Sequence, residues 1–355
     1  MRNETREAFN AYVENIANLN GIPDATKLFT VDPSIAQKIE TKQQESVEFL
    51  GRINIYPVDE IIGETIGVTI SGPIASRTDT TTDDRQTRDP SGLVAQRYKC
   101  EETDFNTHLT YQKVDAWAKF DDFETRIRDA INVRQGLDRI MIGWNGTHVA
   151  PESNLVAFPM LQDMNIGWLQ EIRLKAPERV MGSETVAGPS DAVAGVITAQ
   201  PIIVGPGQEY RNLDALVFDA INLLDPWHQE STDLVVICGR KLLGDKYFPI
   251  LNRTDDPTEM LAGKVIVSQK TIGNLPAVRV PFFPDNALLI TSLENLSIYV
   301  QEGSRRRKIE DNAKRKRVED YQSSNEDYVV EDLGMVALVE SISIVTIDAE
   351  DAGEA

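Results

Sequence analysis

The residue types that most often carry chemistry are few and widely scattered in this chain. It has three histidines, His108, His148 and His228, and none has the His-Glu-x-x-His spacing that binds zinc on one helix face. Its two cysteines, Cys100 and Cys238, lie far apart in the sequence, which fits neither a paired metal motif nor a disulfide framework. We therefore expect isolated, buried thiols and no metal site.

Motifs for nucleophilic catalysis and phosphate binding are also missing. No Gly-x-Ser-x-Gly sequence supports a hydrolase nucleophile. The Gly205-Pro-Gly207 segment contains a proline and lacks the third glycine of a dinucleotide-binding loop, so it indicates a turn, and Gly263-Lys264 follows no Walker pattern. These features predict a protein without catalytic residues, cofactor or metal, although an α+β enzyme of unknown chemistry stays open as an alternative.

Two blocks of opposite charge near the carboxyl end are the strongest candidates for binding. Such blocks suit contacts that set the register between copies of one chain, and each exposed pair contributes under about 1 kcal/mol. The acidic block could also suggest a cation site, but a solvated face or a partner for the upstream arginines is favoured. The basic members are Arg305, Arg306, Arg307, Lys308, Lys314, Arg315, Lys316 and Arg317, and the acidic members used as contact candidates are Glu326, Asp327, Glu331 and Asp332.

The overall charge argues against nucleic-acid binding. The formal net charge is −20, whereas polyanion binding gains most of its free energy from lysines and arginines that displace counterions. Hydrophobic residues make up 41% of the chain, enough for a sizeable core, and no apolar run reaches the roughly 18 residues of a membrane span. The charged amino terminus lacks the apolar stretch of a signal peptide, so we expect a cytoplasmic protein with no membrane partner.

Helical periodicity at the amino terminus predicts an amphipathic helix over residues 4–20. Its apolar stripe cannot be buried by so short a helix alone, so it needs a partner surface. Docking on the chain's own core and contact with other subunits remain equally open. A second helix is expected to follow Asp32-Pro33, a good N-cap and N1 pair, and to run to about residue 50.

A polar stretch between two strand-like segments predicts a long projecting hairpin. Residues 76–92 contain almost nothing apolar, and strands are expected on either side, over 66–74 and 93–100. Because an isolated hairpin is only marginally stable in water, a neighbour should hold this one. The charged candidates for that contact are Arg77, Asp83, Asp84, Arg85 and Arg88.

The clearest helix is predicted over residues 121–144, where one apolar stripe ends at Asn145-Gly146. At about 1.5 Å per residue this helix would be roughly 35 Å long, enough for the spine of an elongated domain. Alternating helix and strand signals over 208–290 indicate a compact α+β lobe. The remaining predictions are a strand over 105–117, a helix over 160–179, irregular structure elsewhere in 145–205, and a closing strand over 336–347.

Short ungapped stretches spread along the chain resemble the major capsid proteins of peduovirus-like tailed phages. The resemblance covers nearly the whole chain, and the stretches occur in the same order. The stretches are Phe9-Asn-Ala-Tyr12, Leu19-Asn-Gly21-Ile22, Phe29-Thr-Val31, Arg52-Ile-Asn-Ile55, Met160-Leu-Gln-Asp163, Gly167-Trp-Leu-Gln170, Ala176-Pro177, Arg179-Val-Met181, Asp233-Leu-Val-Val-Ile237, Asp245-Lys-Tyr-Phe-Pro249, Gly273-Asn-Leu-Pro-Ala-Val-Arg-Val-Pro281, Leu293-Glu-Asn-Leu-Ser-Ile-Tyr299 and Asp327-Tyr-Val-Val-Glu-Asp332.

The resemblance implies an α+β fold, the one that tailed-phage and herpesvirus major capsid proteins share. That fold has an N-terminal arm, an extended β-hairpin loop, a peripheral domain with a long spine helix, and an axial domain. The expected divisions are 1–29 for an arm that maturation removes, 30–62 for the arm of the mature chain, 63–99 for the extended loop, 100–207 for the peripheral domain with spine helix 121–144, 208–290 for the axial domain, 291–347 for returning peripheral strands, and 348–355 for a disordered acidic tail.

The resemblance also implies a function and partners. The chain would be a structural subunit that assembles with itself into the hexamers and pentamers of an icosahedral phage capsid around double-stranded DNA. A phage protease would cut near Phe29-Thr30, a scaffolding and protease protein and the portal would take part in assembly, and the DNA would be enclosed with little specific binding. Replacing Arg305, Arg306 and Arg307 by alanine should then impair shell closure while leaving the subunit folded. A tail or decoration protein of the virion is the alternative.

Overall fold

The structure is a computed structural model that describes residues 1–70, 75, 77–82, 84, 85, 87, 91–117, 123–251 and 270–345. The helices are α1 (Asn3–Leu19), α2 (Pro33–Ser46), α3 (Tyr111–Trp117), α4 (Phe123–Asn145), α5 (Trp168–Lys175), α6 (Leu213–Ala220) and α7 (Arg240–Leu251). Single 3-10 turns occur at Leu50–Arg52, Pro177–Arg179, Ile221–Leu223, Leu293–Asn295 and Leu333–Met335.

The strands are short, apart from two hairpins. They are β1 (Phe29–Thr30), β2 (Asn54–Val58), β3 (Ile62–Ile70), β4 (Ser91–Lys99), β5 (Glu101–Asp104), β6 (Thr107–Thr110), β7 (Val180–Met181), β8 (Ser183–Val186), β9 (Val196–Ala199), β10 (Ile202–Val204), β11 (Val235–Cys238), β12 (Thr271–Ile272), β13 (Leu275–Arg279), β14 (Leu288–Thr291), β15 (Leu296–Gln301), β16 (Arg306–Asn312), β17 (Arg317–Val330), β18 (Ala337–Val339) and β19 (Ile342–Ile344).

Local sequence signals explain where the first two helices begin and end. The predicted helix over 4–20 is α1, and the turn after it contains Gly21 in the left-handed region at φ 64°. The carboxylate of Asp32 accepts a hydrogen bond from the backbone N–H of Ser34 and so caps α2, with Pro33 in the first turn. The chain leaves α2 earlier than predicted and makes a 3-10 turn at Leu50–Arg52 before it enters β2.

A seven-stranded sheet forms the larger layer. Its strand order is β1-β16-β17-β15-β2, and the long strand β17 also pairs with β5 and β6. Strand β15 runs antiparallel to β17 but parallel to β2. Strands from the amino-terminal and carboxyl-terminal parts of the chain therefore lie side by side in this sheet. Helices α4 and α5, with Val47, Phe49 and Leu50 just after α2, form the hydrophobic core with this sheet. Trp144, Trp168 and Tyr328 are almost fully buried there.

A six-stranded sheet of order β12-β13-β11-β14-β18-β7 forms the second layer. Alternate residues of its strands enter two different cores, as expected for a sheet covered on both faces. Val236, Cys238 and Leu288 pack under α6 and α7, whereas Ile237 and Leu289 join the core that contains α4 and α5. The helices of this lobe are α6, with the Asn212 side chain as its N-cap, and α7.

Two predictions about local structure were wrong because tertiary pairing overrode the periodicity. The stretch 105–117 is a strand only over β6, since the chain turns into α3 as soon as its pairing with β17 ends. The described part of the segment predicted over 336–347 divides into β18 and β19, which belong to different sheets. Ser341 at φ 55° makes the turn between them. Alternation alone carries no information about such a break.

The helix predicted over 160–179 is also shorter in the structure. Only α5, Trp168–Lys175, is α-helical, and the residues before it are turns held by side-chain hydrogen bonds. The irregular structure predicted elsewhere in 145–205 contains short strands, of which β8 and β9 form a small hairpin. Predictions for 121–122, for 252–269 and for the tail 348–355 lie outside the described residues. None of the described helices has the length and apolar character needed to cross a membrane.

Candidate subunit-contact surfaces

The first helix packs on its own subunit. Ile16 and Ala17 of α1 are 6% exposed and form a small core with Ala25 and with Ile309 of β16. Phe9, Tyr12 and Val13 complete the apolar side of the helix, which packs on β16 and β17. Of the two alternatives open from the sequence, docking on the chain's own core is therefore the one seen in this structure.

Polar contacts fix the register of α1 on the sheet. The guanidinium of Arg6 pairs with Asp311 across 2.6 Å, and the Nη2 of Arg307 donates to the Tyr12 hydroxyl at 3.0 Å. Arg307 also makes a two-pronged pair with Asp320, at 3.0 and 2.7 Å. Polar contacts at two positions along β16 thus hold the helix, in addition to the apolar contact.

The candidate cleavage junction lies in an edge strand. Phe29 and Thr30 form β1, which pairs antiparallel with β16 opposite Arg307 and Arg306. Phe29 is partly buried and Thr30 is exposed, and Leu28 just before them is 64% exposed. The peptide is therefore extended and accessible on one side, while the residues that follow it continue into α2.

The predicted projecting hairpin consists of β3 and β4, which pair over their whole length from Ile62 opposite Lys99 to Ile70 opposite Ser91. At its tip, Arg77, Asp84 and Arg85 are exposed. Asp83 and Arg88 lie outside the described residues. Contact of this tip with a neighbouring copy stays a prediction.

Hydrogen bonds tie the base of the hairpin to β17 and to the residue that follows it. The backbone N–H of Lys99 donates to the Asp327 carboxylate at 2.9 Å, and the Gln96 amide donates to the carbonyl of Glu331 at 3.4 Å. The Tyr98 ring lies edge-on to Tyr299 with centroids 5.2 Å apart. The β3–β4 hairpin is therefore anchored at its base to the seven-stranded sheet.

Two carboxyl groups under this anchor have raised pKa values. Burial raises the pKa of Glu171 to about 7, although its pairing with Lys175 opposes the shift. Burial likewise raises the pKa of Asp327 to about 6, against the hydrogen bonds from the N–H groups of Lys99 and Tyr328. The second Glu171 oxygen accepts from the backbone N–H of Val330 at 2.8 Å, so this carboxyl joins α5 to β17.

The two predicted charge blocks lie on one hairpin, formed by β16 and β17, and on the residues next to it. Much of their charge is neutralised inside the subunit, since Lys308 pairs with Glu310 and Arg317 with Glu319. At the acidic end, Glu331 accepts from the Tyr299 hydroxyl and Asp332 lies 3.1 Å from His228. Within the described residues, the exposed members without an ion pair are Lys314, Arg315 and Lys316 in the connecting turn.

Arg305 and Glu326, both proposed as contact residues, belong to a buried ionic cluster. Arg139 of α4 donates from Nε and Nη2 to the Glu326 carboxylate at 2.9 and 2.6 Å, and it also binds Glu40 of α2. Arg305 donates to the other Glu40 oxygen at 2.6 Å. The Gln43 side chain completes the cluster by accepting from Arg139 at 2.6 Å.

The ion pairs inside the cluster shift the pKa values of Glu40 and Arg139 in favour of their ionised forms. Burial alone would raise the pKa of Glu40, but Arg139 and Arg305 outweigh burial and lower it. Burial by itself would lower the pKa of Arg139, yet Glu326 and Glu40 hold it well above its usual value. Because each ion here is paired and hydrogen-bonded, the cluster links α2, α4 and the β16–β17 hairpin.

Sequence reasoning missed Arg139 and Glu40. Arg139 lies on the helix predicted over 121–144 but outside its apolar stripe, and Glu40 lies in a polar helix, so both read as solvent-exposed. The available signal was the position of Arg139 between Leu137 and Ile140, two residues of the apolar stripe, which indicates a charge close to the core. Of the Arg305–Arg307 triplet, only Arg306 is well exposed, with 55% of its side chain accessible and Glu102 3.8 Å away.

The described residues contain no group of three or more His, Cys, Asp or Glu side chains arranged to hold a metal ion. His148 is buried beside Phe158, with ring centroids 5.1 Å apart, and His228 faces Asp332. Cys100 and Cys238 are buried and free, and burial raises the pKa of each, to about 12 and about 11.

The family model described as phage major capsid protein, P2 family, matches residues 8–342. The chain is 53% identical over 348 residues to a protein described as capsid proteins of Escherichia phage P2, covering 97% of this chain and 96% of that one. It is 42% identical over 349 residues to the major capsid protein of Serratia phage KSP20, covering 97% and 98%.

Solved structures agree with these matches. A chain of the satellite phage P4 procapsid that includes the size determination (Sid) protein superposes with a TM-score of 0.77 and 49% identity, covering 98% of this chain and all of that one. A capsid chain of an empty GTA particle superposes with a TM-score of 0.50 at 13% identity, covering 84% of this chain and 90% of its own length. The second likeness shows that the fold persists where the sequence does not.

Proposed function

Because the chain belongs to the P2 family of phage major capsid proteins, a structural subunit of an icosahedral virion shell and not an enzyme, we propose that it assembles as hexamers and pentamers. The observation that carries this proposal is the match to capsid proteins over nearly the full length of both chains. Assembly takes place in the cytoplasm of the bacterial host, where the subunits first meet a scaffolding and protease protein and the portal.

Two exposed surfaces are suited to contacts between subunits. The hairpin β3–β4 projects with charged residues at its tip, and the cationic turn at Lys314, Arg315 and Lys316 lacks an ion pair among the described residues. A chain with a net charge of −20 offers many acidic partners for such a turn on a second copy. Many weak contacts repeated around a closed shell add up to a stable assembly.

The arm that contains α1 is removed during maturation by cleavage at Phe29-Thr30. The geometry supports this, because the junction is an extended edge strand preceded by the exposed Leu28, and α1 itself is held by a small separate core. Before cleavage the arm covers Ile309 of β16, and after cleavage that apolar surface becomes available.

The packaged DNA is enclosed with little specific binding. The net charge of −20 repels a polyanion, and the cations of the buried cluster are already paired with Glu40 and Glu326. Binding of the purified protein to duplex DNA should therefore be negligible at 150 mM salt, roughly the physiological ionic strength. Tight binding with a steep salt dependence would contradict this part of the proposal.

Assembly is tested by expressing the full chain in bacteria, alone and with the scaffolding protein of a P2-like phage. Negative-stain microscopy should show closed shells or ring-shaped capsomers of six and five copies. A discrete monomer or dimer, or open tubes, in both preparations would overturn the proposal. Amino-terminal sequencing of the mature shell protein tests the arm, and a mature protein that starts at Met1 would exclude its removal.

A further inference from the structure

A large aromatic side chain stands exposed on the helix that covers one face of the six-stranded sheet. Phe218 of α6 is 71% exposed, whereas Leu216 and Val217 beside it are fully buried. Ala215 and Asn222 share the exposed face of the helix with Phe218, at the spacing of one helical stripe. Exposed aromatic residues in such a position are typical anchors of protein interfaces.

A cleft of about 420 Å³, lined by both polar and apolar groups, lies at the end of the same sheet where β11 and β13 stop. Met160, Phe282 and Pro284 line it, and Phe282 packs against the core on the α4 side of the sheet. The cleft therefore lies at one end of this layer, and Phe218 stands on the exposed side of the helix that covers one of its faces. A subunit with a protruding group in one place and a cleft in another can join copies head to tail.

The cleft has an unusual backbone conformation. Phe282 has φ 62°, in the left-handed region that bulky side chains rarely adopt. The Asn145 amide at the end of α4 holds this conformation by donating to the Phe282 carbonyl at 3.0 Å. Strain that the surrounding structure maintains in this way is characteristic of binding sites.

The charges of the two surfaces are complementary. Arg240 and Arg279 line the cleft, are exposed, and have no ion pair or side-chain hydrogen bond within the described part of the chain; Asp285 lies at the same rim. Next to Phe218, the exposed Asp219 carboxylate accepts from the hydroxyl of Tyr210 at 2.7 Å but has no cation near it among the described residues. Within the described residues, the cleft rim thus offers two unpaired cations, and the surface around Phe218 offers a carboxylate without a cation.

We propose that Phe218 of one subunit inserts into the cleft lined by Met160, Phe282 and Pro284 of a second copy, with Asp219 facing Arg240 or Arg279. The contact is heterologous, so repeating it with a rotation that closes gives a ring of subunits. The inference rests on the proposed assembly into hexamers and pentamers and identifies residues that hold neighbours together within each ring.

Replacement of Phe218 by serine tests the apolar part. Because this side chain is mostly exposed, the Phe218→Ser subunit should keep the wild-type melting temperature, while the yield of closed shells should fall roughly tenfold or more. Val156→Ser, which alters a residue 95% exposed and outside both surfaces, is the matched control and should leave the yield unchanged. An undiminished yield from Phe218→Ser would overturn the inference.

Charge reversal tests the polar part and the pairing between copies. Asp219→Arg alone should lower the yield of closed shells, and combination with Arg240→Asp or Arg279→Asp should restore it, because the reversed pair meets across the interface. Rescue by neither second substitution would refute the head-to-tail pairing. If the wild-type chain itself forms no shells, the proposed assembly fails; if it forms them and the variants do too, only this inference fails.

Discussion

Arg139 of α4 donates to Glu326 of β17 through Nε at 2.9 Å and Nη2 at 2.6 Å, and the Glu326 side chain is fully buried. Glu40 of α2 binds the same guanidinium and also Arg305. Charges that the sequence suggested for contacts between subunits are thus committed to holding the long helix on the sheet. The surfaces free to contact a neighbour lie elsewhere.

Replacement of Arg139 by methionine should destabilise the subunit by about 3–5 kcal/mol, because Glu40 and Glu326 would be left buried without their cation. Urea denaturation followed by tryptophan fluorescence measures this loss. Arg134→Ala provides the control on the same helix, since Arg134 is 59% exposed and pairs with Asp138 one turn away. Equal effects from the two variants would show that burial of the cluster is unimportant.

Alanine substitution of the neighbouring residues Arg305 and Arg306 should change the free energy of unfolding by very different amounts. Arg305→Ala removes a buried partner of Glu40 and should cost a few kcal/mol, whereas Arg306→Ala should change unfolding by less than about 0.5 kcal/mol. The earlier expectation that all three arginines can be replaced without harming the fold therefore applies to Arg306 alone. Thermal melting of each single variant tests it, and an unfolded Arg306→Ala protein would contradict it.

Glu171→Gln should flatten the pH dependence of stability. The folded-state pKa of Glu171 is about 7, above its usual 4.5, so the folded protein keeps a proton that the unfolded chain has lost. The stability from this group is full below pH 4.5 and is lost as the pH rises through 7, by up to about 3 kcal/mol.

Urea midpoints of both proteins at pH 5 and pH 8 provide the measurement. The wild type should lose more stability than the variant over this interval, and the remaining slope should come from Asp327, whose pKa of about 6 shifts it in the same direction. Identical slopes would mean that Glu171 is ionised in the folded protein throughout.

Ile309→Ala should loosen α1 without affecting the rest of the subunit. Ile309 is 1% exposed and is the residue of β16 against which Ile16 and Ala17 pack, so truncation leaves a cavity under the helix. Hydrogen exchange should become faster for the amides of α1 and stay unchanged for α5. Leu19→Ala, at a position 70% exposed on the same helix, should have no such effect.

Much of the fold could be predicted where the signals were local. The cap formed by Asp32 and the apolar stripe of α1 gave correct helices, because caps and helical periodicity depend on residues within one or two turns. The strand predicted over 105–117 was wrong beyond Thr110, since pairing with β17 is a contact between distant parts of the chain. The periodicity of a local segment does not depend on such a distant partner, so it cannot predict where the strand ends.

The candidate contact surfaces were likewise predicted only in part, where a local sequence signal existed. The tip of the β3–β4 hairpin was identified from its polar composition, and Arg77, Asp84 and Arg85 are exposed there. Phe218 was missed because in a sequence it looks like one more apolar residue of a buried helix, and Phe282 because a backbone angle leaves no trace in residue type. Their contact with a second copy is a proposal that no local pattern suggests.

The sequence by itself determined the family, the acidic charge, the positions of the longest helices and the absence of familiar catalytic motifs. Only the tertiary structure decided which charges are neutralised within the subunit, because the energy of an ion depends on its burial and on partners hundreds of residues away, such as Glu40 and Arg305. The same opposite charges in a linear sequence fit an interface and a core equally well. Folding placed Arg305 in the core and left Lys314, Arg315 and Lys316 in solvent.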